Sequence, residues 1–446
     1  MENLELSAYL RSLVIGTETQ VPITGGQFVP AINFDNAATT PPFVSVMKGI
    51  TNFAPWYSSI HRGKGYKSRM TSNIYEEGRH IIGDFVKADP SKDVIIYTKN
   101  TTESINMLAY IMSEEHKGKV ILSTEMEHLA NDLPWRDKFL VDYVSVDEKG
   151  YLSLDDLEFK LKKYRGKVHL VAVTGASNVT GYINPYYEIA KMTHKYGAKI
   201  LLDGAQLVPH VLVDMKPFAS DEHIDYLVFS AHKMYAPFGV GVLVGPKETF
   251  EKTQPVYKGG GDVRLVSKDF IEWDLPPFKN EAGTPNIMGV MALIDAIKTL
   301  NRTDLNKIHE YENGLIHYAM DKLKKIPGVS LYGYSSDNKP KVALVSFTIE
   351  DIPHNMIAEI LSRHSGIAIR DGLFCAHTYV QRLLNLTGQE LNYYRTHPDV
   401  TLPGMIRISF GLYNNYEEIN RFIEVIYKIA GNKRQYVQKY KKYVID

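Results

Sequence analysis

Short apolar runs separated by stretches of helical periodicity fill residues 90–245 of the chain. The runs fall at 94–97, 120–122, 168–173, 200–202 and 226–229, and helical patterns open at Thr102 and at Pro185. Runs of this kind alternating with helices predict an α/β fold, with a mostly parallel central sheet covered by helices on both faces. Beyond Gly283-Thr284-Pro285 the rhythm changes. Helices are predicted over 287–300 and 305–326, a strand at 342–348, a helix at 355–363, a strand at 367–370 and a last helix from Tyr416. The organisation expected is a large cofactor-binding domain over 33–285 and a smaller α+β domain made of 1–32 and 286–446. No repeat, low-complexity tract or long linker separates them, so they are predicted to pack closely, and their junction is a natural place for a small molecule.

Composition narrows the partners. The 446 residues carry 51 basic and 51 acidic side chains, a formal charge of zero, which leaves no electrostatic footprint for nucleic acid or an anionic membrane. The Lys- and Tyr-rich stretch 433–442 then reads as a solvated helix end. The first residues lack a basic segment followed by an apolar core, and no run reaches the roughly 18 apolar residues of a spanning helix, so a cytoplasmic protein is expected. Cys375 is the single cysteine, which excludes an internal disulfide. No metal-ligand set is expected.

The chemistry begins where two apolar runs stop. Asp203 closes the run at 200–202, and Lys233 follows the run at 226–229 through Ser230-Ala231-His232, thirty positions later. The ends of strands in an open α/β sheet are where ligands bind, so a carboxylate and an amine delivered there point to one shared site. A lysine that can form a Schiff base and an aspartate that can hold a pyridinium proton are what pyridoxal 5'-phosphate requires. Taken singly, Asp203 also fits a loop Asp capping a helix and Lys233 a surface lysine.

Other residues fit the same picture. Asn100-Thr101-Thr102-Glu103 lies between a strand and a helix, where hydroxyls and free amides suit a phosphate; a capping box of Asn100 with Glu103 serves equally well. His128 offers a ring face for stacking, and Arg407, at the start of the run 407–410, offers a planar fork for a substrate carboxylate. Cys375 follows Ile369-Arg370-Asp371-Gly372 on a predicted loop. A buried small hydrophobe is the usual fate of a free cysteine, whereas a loop site near arginine favours the reactive thiolate.

Together these motifs resemble the class V aminotransferase group and, within it, the SUF-type cysteine desulfurases and selenocysteine lyases. The likeness runs in the family's order through 33–40, His61-Arg62-Gly63, Thr101-Thr102-Glu103, Met126-Glu127-His128, 177–181, Asp203-Gly204-Ala205-Gln206, Ser230-Ala231-His232-Lys233, 281–286 and Arg407. It implies a homodimeric fold-type-I enzyme with Lys233 as the Schiff-base lysine, Asp203 on the pyridine nitrogen, Gln206 near the phenolic oxygen and His128 stacked on the ring. Asn178 would sit close to cofactor and substrate. Thr101, Thr102, Ser230 and His232 would hold the phosphate, with Thr284 reaching in from a second subunit. Arg407, with His61 nearby, would take the substrate. Cys375 would attack the sulfur of a cysteine substrate, leaving alanine and a persulfide to be passed to an acceptor, a protein partner included. Two departures stand out: Leu373 and Phe374 replace the family's two histidines before the cysteine, and Arg407 lies 32 positions after Cys375, farther than in the SUF-type pattern. The segment between them reads as an insertion that covers the site or docks a partner. Two alternatives remain open: another class V activity, such as an epimerase, lyase or aminotransferase with Cys375 a bystander, and a non-catalytic cofactor-binding subunit of a sulfur-transfer complex.

Overall fold

The computed structural model describes residues 2–115, 118–334 and 339–443. Its centre is a seven-stranded sheet formed by β1 (Asp93–Thr98), β2 (Val120–Thr124), β3 (Leu140–Val144), β4 (Val168–Thr174), β5 (Lys199–Asp203), β6 (Tyr226–Ser230) and β7 (Gly241–Pro246), in the spatial order β1-β7-β6-β5-β4-β2-β3. All neighbours pair parallel except β7, which runs antiparallel to both β6 and β1. Buried on two faces, most strands are almost wholly apolar, as parallel strands must be. Side chains alternate between two cores: Leu202, Leu227 and Phe229 pack in one, Leu201, Tyr226 and Val228 in the other.

Helices cover both faces. They include α1 (Tyr66–Val86), α2 (Thr101–Glu115), α3 (Tyr186–Lys195) and α4 (Ile287–Thr303), while α5 (Leu305–Leu323) packs on α4 and on the strands at 329–332 and 344–349. Gly241, in β7, lies against the entry to α2: a Cβ there would stand 2.5 Å from the Asn100 carbonyl carbon. Only glycine lets strand and helix entry come so close. A second sheet of order β8-β9-β11-β10 comprises β8 (Val329–Tyr332), β9 (Leu344–Ile349), β10 (Arg370–Gly372) and β11 (Met405–Ser409), with α6 (His354–Ser365) packed against β10. The segment between β10 and β11 carries α7 (His377–Leu383) and α8 (Gly388–Thr396), and α9 (Tyr416–Gly431) follows, started by a capping box of Asn415 and Glu418. Among the described residues no helix is long and apolar enough to cross a membrane.

The strand expected at 367–370 divides in two. Ile367–Ala368 pairs with Ile32–Asn33, and Arg370–Gly372 joins the second sheet. Arg407, expected at a strand start, sits in the middle of β11, because Met405 and Ile406 already pair with Gly372, Asp371 and Phe347.

One buried ion pair ties α1 to the loop before α4. Glu281 accepts from both terminal nitrogens of Arg79 at 2.8 Å, from the Tyr97 N–H at 2.7 Å and from the Tyr75 hydroxyl at 2.8 Å. Removing Glu281 takes the acceptor from the Tyr97 N–H and the Tyr75 hydroxyl and leaves Arg79 with Glu76 at 3.0 Å as its remaining carboxylate. Glu281→Ala is therefore expected to cost about 3–5 kcal/mol, read as a fall in the melting temperature, and a melt within a degree or so of wild type excludes a structural role for the pair.

Candidate active site

The carboxyl edge of the large sheet and the second sheet enclose a cavity of about 530 Å³. That volume suits a cofactor-sized ligand with a small substrate. Eleven of the expected residues line it: Thr101, Thr102, His128, Asn178, Asp203, Gln206, Ser230, His232, Lys233, Cys375 and Arg407.

Asp203 ends β5 and is 4% exposed; its Oδ1 accepts the Ala205 N–H at 3.0 Å. Burial raises its pKa, since a carboxylate pays more for lost water than it gains from that bond and from Lys233. Lys233 ends a short turn, Ala231–Lys233, directly after β6. Burial lowers its pKa to about 8 against the pull of Asp203. An amine of that kind is a ready nucleophile near neutral pH. The Gln206 amide donates to the Ala37 carbonyl at 2.7 Å, which fixes its orientation.

His128 caps the turn Leu129–Asn131 through Nδ1, which accepts the Ala130 N–H at 3.0 Å. The neutral ring therefore carries its proton on Nε2. Burial first, then Lys233 and Arg407, lower its pKa to about 4, so it is uncharged at pH 7. Its neighbour Glu127 anchors this turn by accepting from Thr124 Oγ1 at 2.6 Å, Asn131 at 2.7 Å and the Thr174 N–H at 2.9 Å.

At the start of α2, the Thr101 N–H donates to Ser230 Oγ at 2.8 Å, and the two hydroxyls meet at 2.7 Å. Asn100 Oδ1 accepts the Glu103 N–H at 2.9 Å. The expected reciprocal capping box is shifted by one residue: the Glu103 carboxylate takes the Lys99 N–H at 2.6 Å rather than that of Asn100. Hydroxyl residues thus line the cavity at the positive end of the helix, an arrangement suited to an anion. His232 stands beside it, its pKa lowered to about 4 by burial and then by Lys233.

Arg407 is 3% exposed, with Nη1 donating to the Asn178 carbonyl at 2.9 Å and Nη2 to Asp35 at 3.3 Å. Its Nε is buried and has no partner. A spare donor on a buried guanidinium invites an anionic acceptor from the cavity. Burial lowers even this group, to about 10. A second cation, Arg370, lines the same wall and is held by Asp35 at 3.1 Å. Neither Arg370 nor Asp35 was singled out from the sequence as a site residue, although Arg370 precedes Cys375 by only five positions.

Cys375 is exposed to the cavity rather than buried as a small hydrophobe. Its loop is held on both sides: the Cys375 carbonyl accepts the Leu129 N–H at 2.7 Å, next to His128, and the Phe374 carbonyl accepts from Asn178 at 2.7 Å. Phe374 and Cys375 both adopt left-handed backbone, at φ 50° and 53°. Two such residues in a row cost on the order of 1 kcal/mol each, so these bonds hold a conformation the loop alone would abandon. Phe374 lies under the Arg407 guanidinium at 5.0 Å.

Two expected residues lie elsewhere. His61 has φ 62° and bonds Glu76 at 3.0 Å beside Phe278, and Thr284 is exposed after Gly283; neither lines this chain's cavity.

Residues 32–422 match the family model for aminotransferase class V, and the chain belongs to that family. Over 399 residues it is 34% identical to a probable cysteine desulfurase of Halalkalibacterium halodurans, with 88% of this chain and 91% of the relative covered. A probable cysteine desulfurase of Mycolicibacterium paratuberculosis is 33% identical over 409 residues, which are 90% of this chain and 56% of that relative. The solved apo structure of a cysteine desulfurase from Thermococcus onnurineus NA1 matches with a TM-score of 0.80 at 32% identity, covering 90% of this chain and 95% of that one.

Proposed function

We propose that this chain is a pyridoxal 5'-phosphate-dependent cysteine desulfurase that converts cysteine to alanine and leaves a persulfide on Cys375. The observation carrying this reading is the meeting of Lys233, Asp203 and the exposed Cys375 thiol in one cavity, with a buried, unsatisfied Arg407 nitrogen at its wall. Asp203 tests the fit of the cofactor. A buried carboxylate whose charge is costly gains most from a cationic ring nitrogen, and the hydroxyl-lined start of α2 gains from a phosphate. When bound, the cofactor supplies an electron sink at the substrate's α-carbon.

The chain's residues do the rest. Lys233 would hold the cofactor and move the α-proton, Gln206 would serve its phenolic oxygen, and Thr101, Thr102, Ser230 and His232 would receive its phosphate. His128 would lie against the ring and present Nε2–H. Arg407 binds the substrate carboxylate beside Asn178. The Cys375 thiolate attacks the substrate sulfur; the carbon–sulfur bond breaks, a sulfur–sulfur bond forms, and the methyl group of alanine takes up a proton. Cysteine plus thiol thus gives alanine plus persulfide, with atoms and electrons in balance.

The reading extends to a homodimer in the cytoplasm, with a protein as sulfur acceptor, residues 33–285 binding the cofactor, and 1–32 with 286–446 forming the small domain. The placement of His61 and Thr284 outside their own cavity supports the dimer, because residues of this kind can serve a second copy's site. The test is direct: the cofactor-loaded protein with cysteine and a dithiol reductant is expected to release alanine and sulfide in equal amounts, and no alanine above background sinks the reading.

A pH experiment follows from Lys233. Its amine is lowered to about 8, so the neutral, reactive form accumulates as pH rises through that value. Uptake of pyridoxal phosphate by cofactor-free protein, followed by absorbance, should accelerate through about pH 8 and then level off. An increase continuing toward the ordinary lysine range, about 10.4, excludes a perturbed amine.

A further inference from the structure

His354 lies at the first turn of α6, outside the cavity wall, and joins two segments remote in sequence. Its Nδ1 stands 2.7 Å from Oδ2 of Asp371, and its Nε2 stands 3.0 Å from the Leu402 carbonyl. A carboxylate and a carbonyl only accept, whereas a neutral imidazole has a single N–H. Only the imidazolium makes both bonds.

Both partners bear on the cysteine loop. Asp371 lies in β10, which leads through Gly372, at φ 97°, into the left-handed pair Phe374 and Cys375. Leu402 lies at the end of the inserted segment, which returns so closely that a Cβ on Gly404 would be 2.7 Å from the Gly372 Cα. His354 therefore fastens the returning segment to the neck of the loop.

We propose that His354 is a positioning residue for Cys375: protonated, it clamps the inserted segment onto the cysteine loop, and on losing its proton it gives up one of its two bonds and loosens that loop. Its part in turnover rests on Cys375 being the sulfur-accepting thiol; the clamp itself does not.

The charges around His354 favour the closed form. Burial opposes the imidazolium, and so does the amino end of α6. The bonds to Asp371 and Leu402 outweigh burial and raise the pKa of His354. Arg370, next to Asp371, is taken up by Asp35, and Asp399 and His377 line the groove beside His354. A raised pKa means the clamp is whole below the ordinary histidine range and is lost as pH rises through the higher value.

Cys375 is the only cysteine, so its alkylation reports the loop alone, without turnover. The cofactor-loaded protein, free of substrate, is treated with iodoacetamide, and the labelling rate of His354→Gln is divided by that of wild type, which cancels the thiolate fraction. Glutamine keeps one bond and loses the charge. The ratio is expected to be roughly tenfold near pH 6, as for a lost charge-assisted hydrogen bond, and to fall toward one near pH 9. Asp371→Asn, which removes the carboxylate from the other side, should accelerate labelling over the same acidic range. A ratio of one at every pH, or a raised ratio that does not change with pH, overturns the proposal; the second result describes packing without titration. Failure of either variant to fold leaves the other to decide. Because alkylation needs no desulfuration, a pH-dependent ratio in a protein that releases no alanine would keep the clamp and sink only the proposed activity.

Discussion

Replacing Lys233 by alanine is expected to lower alanine release by roughly 10²–10⁴-fold, the span associated with loss of a positioned proton-transferring group. The loss should appear in turnover far more than in cysteine affinity, because Arg407 and Asn178 remain. Borohydride reduction followed by peptide mapping gives an independent reading. Wild type should carry a pyridoxyl group on the peptide containing Lys233, and the variant should carry none. Lys233→Arg should fail as well, since a guanidinium stays protonated where the lysine, at about 8, supplies free amine. A pyridoxyl group found on another lysine, or activity that survives the substitution, removes the basis of the proposed mechanism.

Cys375→Ala should reduce alanine release from cysteine by roughly a hundredfold or more, a modest figure beside the loss of nucleophiles in other covalent mechanisms. The cofactor site should survive, because the contacts from Leu129 and Asn178 to this loop are to carbonyl oxygens, which alanine retains. The variant is thus expected to keep the yellow colour of the loaded protein and fail to carry radiosulfur from labelled cysteine on a non-reducing gel. Turnover of another amino acid, indifferent to this substitution, would instead indicate a different class V activity. Colour with no turnover in wild type would indicate a subunit that binds the cofactor without using it.

Much of this site was legible because burial and chemistry coincide at strand ends. Asp203 and Lys233 stand where wholly apolar strands stop, and both strands are found within a residue or two of the predicted runs. What escaped has physical reasons. Gly241–Pro246 was not among the predicted runs: it begins with glycine and ends with Gly245-Pro246, which interrupt the apolar pattern, although Gly241 is needed there for its close approach to Asn100. Gly388–Thr396 has no buried residue, so it shows no amphipathic rhythm. Asp35 and Arg370 matter only through each other and Arg407, across more than 300 positions of chain, a relation that local pattern does not display. Cys375 was undecided between buried and reactive, because loop exposure depends on the neighbours that hold the loop. The long stretch between Cys375 and Arg407 carries α7 and α8, and its return to β11 brings Leu402 to His354.

The antiparallel β7 has one more effect, on the timing of assembly. In a single row across the sheet, Gly241 pairs with Thr98 on one side and Ser230 on the other, so the hydroxyls of Thr101 and Ser230 meet only when that strand lies between β1 and β6. A nascent polypeptide stopped short of position 241 already contains every residue assigned here to the phosphate except Thr284, yet lacks the spacer that brings them together. With the phosphate site proposed above, vitamin capture on the ribosome would wait for a strand that contributes no ligand to it.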